Sequence, residues 1–143
     1  MRVIVADDSL IAREGVVHLL RDASVHVVAE VEDADRLLAE VARLRPDAVV
    51  VDIRMPPTNT DEGLVAAARL RDAFPTVGVL VLSQYLETSY AIRLLKGQGD
   101  GVGYLLKERV FHPAVLVDAL RRVIEGETVV DPTIVARVMG RKR

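Results

Sequence analysis

Five polar residues of this 143-residue chain stand where short apolar runs end: Asp7 and Asp8 after Val3–Ala6, Asp52 after Ala48–Val51, Ser83 after Val77–Leu82, and Lys107 after Gly103–Leu106. Three carboxylates gathered in one small volume repel one another, each pair by on the order of 4 kcal/mol at roughly 4 Å and an effective dielectric near 20. Such a trio either keeps a proton at neutral pH or holds a cation. A hard divalent ion bound through a few carboxylates, with waters and an open position for a phosphate oxygen, describes Mg²⁺. Lys107 is a compact positive charge and Ser83 a hydroxyl donor, both suited to the peripheral oxygens of a phosphoryl group. The set is equipped for phosphoryl acceptance, with Asp52 on the central strand as nucleophile and Asp7 and Asp8 as metal anchors. Each residue also has a plainer reading. An Asp-Asp-Ser after a strand is most often a helix N-cap, Asp52 a turn residue, Ser83 an ordinary strand end and Lys107 a solvated surface lysine. Their occurrence together, at the ends of four strands in order, is what caps and chance rarely supply.

The elements that must position these residues follow from the pattern of apolar residues. Val3–Ala6, Val25–Ala29, Ala48–Val51, Val77–Leu82 and Gly103–Leu106 are short β-branched or aliphatic runs, each followed by a stretch at helical spacing. The spacing predicts helices through Ile11–Leu20, Ala34–Leu44 (capped by Asp33 and stopped by Pro46), Glu62–Phe74, Thr88–Lys96, and from Pro113 to the glycine at 126. Strands so continuously apolar have no wet face. The expected fold is therefore α/β, a doubly wound five-stranded parallel sheet in the order 2-1-3-4-5, flavodoxin-like, with its ligand edge at the strand carboxyl ends. Residues 1–125 read as one domain. Residues 126–143 read as a linker or the start of a further domain, with a short helix from Asp131-Pro132 through Val135, Val138 and Met139, and a basic end at Arg141–Arg143.

Composition narrows the function. Half the residues are apolar and the mean hydropathy is +0.24, which excludes intrinsic disorder. A net charge of −2 and five aromatics (Phe74, Phe111, Tyr85, Tyr90, Tyr104) supply neither a basic footprint nor a stacking platform for nucleic acid. Without cysteine there is no disulfide, thiolate metal site or cysteine nucleophile. His18, His26 and His112 are scattered and read as structural. No apolar run is long enough for a membrane span and no signal peptide is evident, so a cytoplasmic domain without membrane partner is expected.

Val3–Ser9 (VIVADDS), Val49–Pro56 (VVVDIRMP), Val79–Ser83 (VLVLS) and Gly103–Lys107 (GYLLK) together resemble the receiver domain of bacterial two-component response regulators. The segments Val102–Lys107 (VGYLLK), Arg121–Gly126 (RRVIEG) and Val130–Val135 (VDPTIV) resemble its NarL/LuxR-type transcriptional branch. The resemblance implies that Asp52 is phosphorylated by a sensor histidine kinase. It implies that Asp7, Asp8, Asp52 and the main-chain carbonyl of Arg54 hold Mg²⁺, and that Ser83 and Lys107 contact the phosphoryl group. Tyr104 is then the switch aromatic, turning inward as Ser83 moves. A regulatory phosphoacceptor is implied rather than an enzyme of steady turnover, with homodimerisation on phosphorylation. DNA would be contacted through a helix-turn-helix output domain, which the 18 residues after Glu125 are too few to form. Three details depart from the family pattern: the loop ending at Glu62 (PPTNTDE) is long, Gln84 replaces a small residue, and Glu108 stands where proline often follows the lysine. Arg54 and Tyr85 occupy positions that in the family tune acyl-phosphate hydrolysis. A stand-alone receiver signalling by protein contact is the alternative. A haloacid-dehalogenase-type phosphatase would want an Asp-x-Asp and a cap domain, and a nucleotide binder would want a phosphate-cradling loop where Asp7-Asp8 stands.

Overall fold

In the computed structural model, residues 1–85, 87–98 and 100–141 are described, with backbone alone at 95, 97–98 and 138–141. Elements alternate as β1 (Arg2–Ala6), α1 (Leu10–Asp22), β2 (His26–Val31), α2 (Ala34–Leu44), β3 (Ala48–Asp52), α3 (Glu62–Ala73), β4 (Gly78–Ser83), α4 (Thr88–Gln98), β5 (Val102–Leu106), a 3₁₀ turn (Lys107–Phe111), α5 (Pro113–Ile124), β6 (Val129–Val130) and α6 (Pro132–Arg141). All strand pairs are parallel. The sheet order is β2-β1-β3-β4-β5-β6, which is the expected five-stranded order with one short strand added at the β5 edge.

Strand residues divide by parity between two cores, as side chains of period two must. Ile4, Ala6, Val49, Val51, Val79, Val81, Val102 and Tyr104 face α2, α3, α4 and α6 through Leu37, Val41, Leu64, Leu70, Ala91, Leu94 and Ile134. Val3, Val5, Val50, Leu80, Leu82 and Leu105 face α1 and α5 through Val17, Leu20, Leu116, Leu120 and Val123. Local chemistry sets the helix limits. The Ser9 hydroxyl accepts from the Ala12 N–H at 3.3 Å and Asp33 from the Arg36 N–H at 2.8 Å, each capping its helix. α2 ends at Arg45 in the left-handed region (φ 49°), directly before Pro46. Pro113 opens α5, where its missing N–H costs nothing.

Of the segment expected as linker, Val129 and Val130 pair with Gly103 and Tyr104, and Ile134 is 1% exposed in the core. A two-residue strand has too few positions to show a period, which is why the pattern did not reveal it. Gly63 is required where α3 meets β3, because a Cβ there would lie 2.0 Å from the Asp52 carbonyl oxygen. Among the described residues no helix is long and apolar enough to cross a membrane.

Candidate functional site: an acidic pocket at the carboxyl edge of the sheet

β1, β3, β4 and β5 end side by side, and the parallel register delivers their C-terminal residues to one edge: Asp52 lies opposite Leu82, and Ser83 opposite Leu106, the residue before Lys107. Asp7, Asp8 and Asp52 each place a carboxylate oxygen within 4.8 Å of the others. Asp7 and Asp52 are buried at 4% and 9% exposure while Asp8 faces solvent. Lys107 closes the cluster, its Nζ 3.1 Å from Asp7 Oδ2 and 3.5 Å from Asp52 Oδ2.

The electrostatics follow from that arrangement. Burial pushes the Asp52 carboxyl up to about 6, the Asp7 carboxylate pushes the same way, and the Lys107 ammonium with the Arg54 backbone N–H pulls back without cancelling the rise. One ammonium therefore leaves the three acids undercompensated. This donor set of hard oxygens, part buried and part open, fits a divalent cation such as Mg²⁺, with Asp7, Asp8 and Asp52 as the side chains that would hold it.

Asp7 is held in place from two sides. Its Oδ1 accepts from the Ser9 N–H at 2.9 Å, and its backbone carbonyl accepts from the buried Arg13 guanidinium at 2.8 Å. Arg13 also pairs with Glu30 of β2 at 3.3 Å. Sequence reading missed Arg13, since an arginine one turn into an amphipathic helix looks like surface until the fold turns it under the β1 loop.

The remaining expected residues are nearby in different states. The Ser83 hydroxyl donates to the Tyr85 carbonyl at 2.6 Å and contacts the Tyr104 hydroxyl, so it is engaged away from the acids. Tyr104 is 0% exposed, and burial raises its phenol above the ordinary value. The inward position expected to follow phosphorylation is thus already occupied, because the ring completes the core between α4 and α6. Arg54 contributes its N–H to Asp52, while its guanidinium lies 5.5 Å from the Tyr85 ring centroid and bonds Glu87 at 3.0 Å, tying the loop after β3 to the loop after β4. The Glu62 carboxylate organises the long loop by accepting from the Thr58 hydroxyl at 2.5 Å, the Thr58 N–H at 2.7 Å and the Thr60 N–H at 3.1 Å, which holds it at about 2. Gln84 is exposed. The cis peptide bond of the described chain is Pro56–Pro57, so the Lys107–Glu108 bond is trans. The histidines take no part in the site: His18 pairs with Asp22 at 3.2 Å, His26 opens β2 and His112 precedes α5.

Residues 3–121 match the model of the response regulator receiver domain. The oxygen regulatory protein NreC of Staphylococcus epidermidis is 32% identical over 132 residues, covering 92% of this chain and 58% of NreC, so the chain spans little more than half that relative. A LuxR-family two-component response regulator from Aurantimonas sp. SI85-9A1 superposes with a TM-score of 0.83 at 26% identity, covering 99% of this chain and 96% of that one. The signal receiver domain of the response regulator NarL from Mycobacterium tuberculosis gives 0.71 at 32% identity over 84% of this chain and 95% of that one. Sheet order, acidic edge and sequence converge: the chain belongs to the response regulator receiver family, in its NarL/LuxR-type branch.

Proposed function

We propose that this chain is the phosphoacceptor of a two-component signalling pair, taking a phosphoryl group onto Asp52 from the phosphohistidine of a sensor histidine kinase. One observation carries the reading: Asp52 is buried, raised to about 6 and set 3.5 Å from Lys107 Nζ within a triad of acids. In the transfer an Asp52 Oδ attacks phosphorus in line, the P–N bond to the donor imidazole breaks, and the imidazole leaves with that electron pair. Lys107 stands where it can pair with a phosphoryl oxygen, exchanging its contact with the Asp52 carboxylate for one with the new dianion. The Ser83 hydroxyl turns from the Tyr85 carbonyl towards another phosphoryl oxygen. Asp7, Asp8, Asp52 and the Arg54 carbonyl are the residues assigned to Mg²⁺, which when bound supplies charge neutralisation to the transferring group. Because Tyr104 is already inward, the signal passes through the movement of Ser83 and Lys107 and the loops behind them.

The output we propose is a changed contact between copies of the chain and, in a longer protein, control of DNA binding and transcription. The neighbouring folds support this by analogy. RcsB, whose crystallised chain is 26% identical and superposes with a TM-score of 0.78, is described as two dimers bound to two parallel DNAs.

The test is to incubate the chain with acetyl phosphate and magnesium and to read intact mass. The wild-type chain gains one phosphoryl group, lost on mild base treatment as an acyl phosphate should be, and Asp52→Asn gains none. Labelling of Asp52→Asn at the wild-type rate places the nucleophile elsewhere, and no labelling of the wild-type chain at millimolar magnesium removes the proposal.

A further inference from the structure

Asp131, between β6 and α6, is 0% exposed, and an ionised carboxylate tolerates such burial when it is paired and fully hydrogen-bonded. Burial pushes its carboxyl up, but the bonds it accepts outweigh that and hold it below the ordinary value. Its Oδ2 accepts from the Leu106 N–H at 3.0 Å and from Arg109 Nε at 3.2 Å. Its Oδ1 accepts from the Thr133 N–H at 2.9 Å and from Arg109 Nη2 at 3.4 Å. Arg109 also donates to the Thr133 hydroxyl at 2.8 Å, and the Asp131 N–H donates to the Tyr104 carbonyl at 2.8 Å.

These partners have two destinations. Thr133 lies in the first turn of α6, and one bond to its N–H would suffice to cap that helix. Leu106 and Arg109 flank Lys107, the residue that reaches into the acid pocket. A lysine stem is flexible, so where its ammonium settles depends on where the backbone beneath it is pinned. Here the backbone N–H just before Lys107 and the guanidinium two residues after it end on the same carboxylate.

We infer that Asp131 is a positioning residue for Lys107, and that through Asp131 the seating of α6 and the charge state of the acid pocket are coupled. The inference rests on the phosphoacceptor reading above and adds a residue and a route to it. When a new dianion on Asp52 draws Lys107 inward, the displacement is delivered to the Leu106 N–H and to the 3₁₀ turn bearing Arg109. Both end on the carboxylate that caps α6, ahead of Ile134 in the core. Reciprocity requires the converse: whatever unseats α6 alters the site.

The experiment compares the whole chain with Asp131→Asn, which keeps the shape of the side chain and removes its charge. Lysines are modified with a limiting amine-reactive ester and quantified by peptide mass spectrometry, with exposed Lys96 as the internal reference. Acetyl-phosphate labelling and hydrogen exchange over 132–137 are followed in parallel. In Asp131→Asn, Lys107 modification rises several-fold relative to Lys96, labelling slows several-fold, and exchange over 132–137 accelerates. Faster exchange with wild-type Lys107 reactivity and wild-type labelling overturns the inference, because Asp131 then merely holds α6. Should circular dichroism show Asp131→Asn unfolded, Arg109→Gln removes one side of the clamp with the carboxylate intact; Lys107 reactivity must rise there too, and an unchanged value overturns the inference. A wild-type chain that takes no phosphate removes the phosphoacceptor reading, while the reactivity of Lys107 still decides whether Asp131 positions it.

Discussion

At the scale of single residues, the site is a balance between one ammonium and three carboxylates, and its energetics are set by Asp52. A rise from the ordinary 3.8 to about 6 means that the folded chain binds the Asp52 proton more tightly than the unfolded chain does. The cost of ionising Asp52 is therefore fully felt above pH 6 and disappears as the pH falls towards 4. It amounts to on the order of 3 kcal/mol. Asp52→Asn in EDTA should stabilise the chain by about that much at pH 7.5 and by little at pH 4, read by urea titration at the two values. An equal gain at both would mean that charge is not the cause. Lys107→Met removes the one ammonium seen to pair with both Asp7 and Asp52. It should cost about 1–3 kcal/mol in EDTA at pH 7.5. Millimolar magnesium should recover much of that loss, since a cation among the acids replaces the missing charge. Failure of magnesium to narrow the difference would count against a metal site there.

Among the elements, the site depends on how closely α3 approaches the end of β3. The Gly63 N–H donates to the Ile53 carbonyl at 2.7 Å, and a Cβ at 63 would meet backbone of both Asp52 and Ile53 within 3 Å. Backbone cannot yield as a side-chain tip does. Gly63→Ala should therefore cost at least about 1–3 kcal/mol, visible as a fall in Tm of several degrees, and should slow labelling of Asp52. A stability unchanged by the substitution would show that α3 can slide outward freely. Elements differed in how far their sequence announced them. α1, α2 and α5 were legible because Ser9, Asp33 and Pro113 mark their starts and their apolar residues recur on one face. The loop before α3 was not, because its order comes from Glu62 collecting donors from Thr58 and Thr60, a matter of side-chain reach rather than of periodicity.

For the whole molecule, the sheet separates two apolar cores, one packed on each of its faces. Leu37 (α2) and Leu120 (α5) are both 0% exposed and lie in different cores. Leu37→Ala and Leu120→Ala should each cost about 2–5 kcal/mol, and the double variant should show their sum within roughly 0.5 kcal/mol by denaturant titration, unless it unfolds outright. A clear departure from additivity would mean that the sheet transmits strain between its faces. What the sequence by itself determined was the alternating α/β plan and the gathering of Asp7, Asp8, Asp52, Ser83 and Lys107 at one edge. Apolar runs with polar ends are a local pattern, and parallel pairing sends every such end the same way. Tertiary structure alone decided that Lys107 bridges Asp7 and Asp52, that the Ser83 hydroxyl is turned to Tyr85 with Tyr104 already inside, and that β6 and α6 close on β5 through Asp131. Apart from the local Ser83–Tyr85 bond, those outcomes rest on distances between residues far apart in the chain, and no local periodicity encodes any of them.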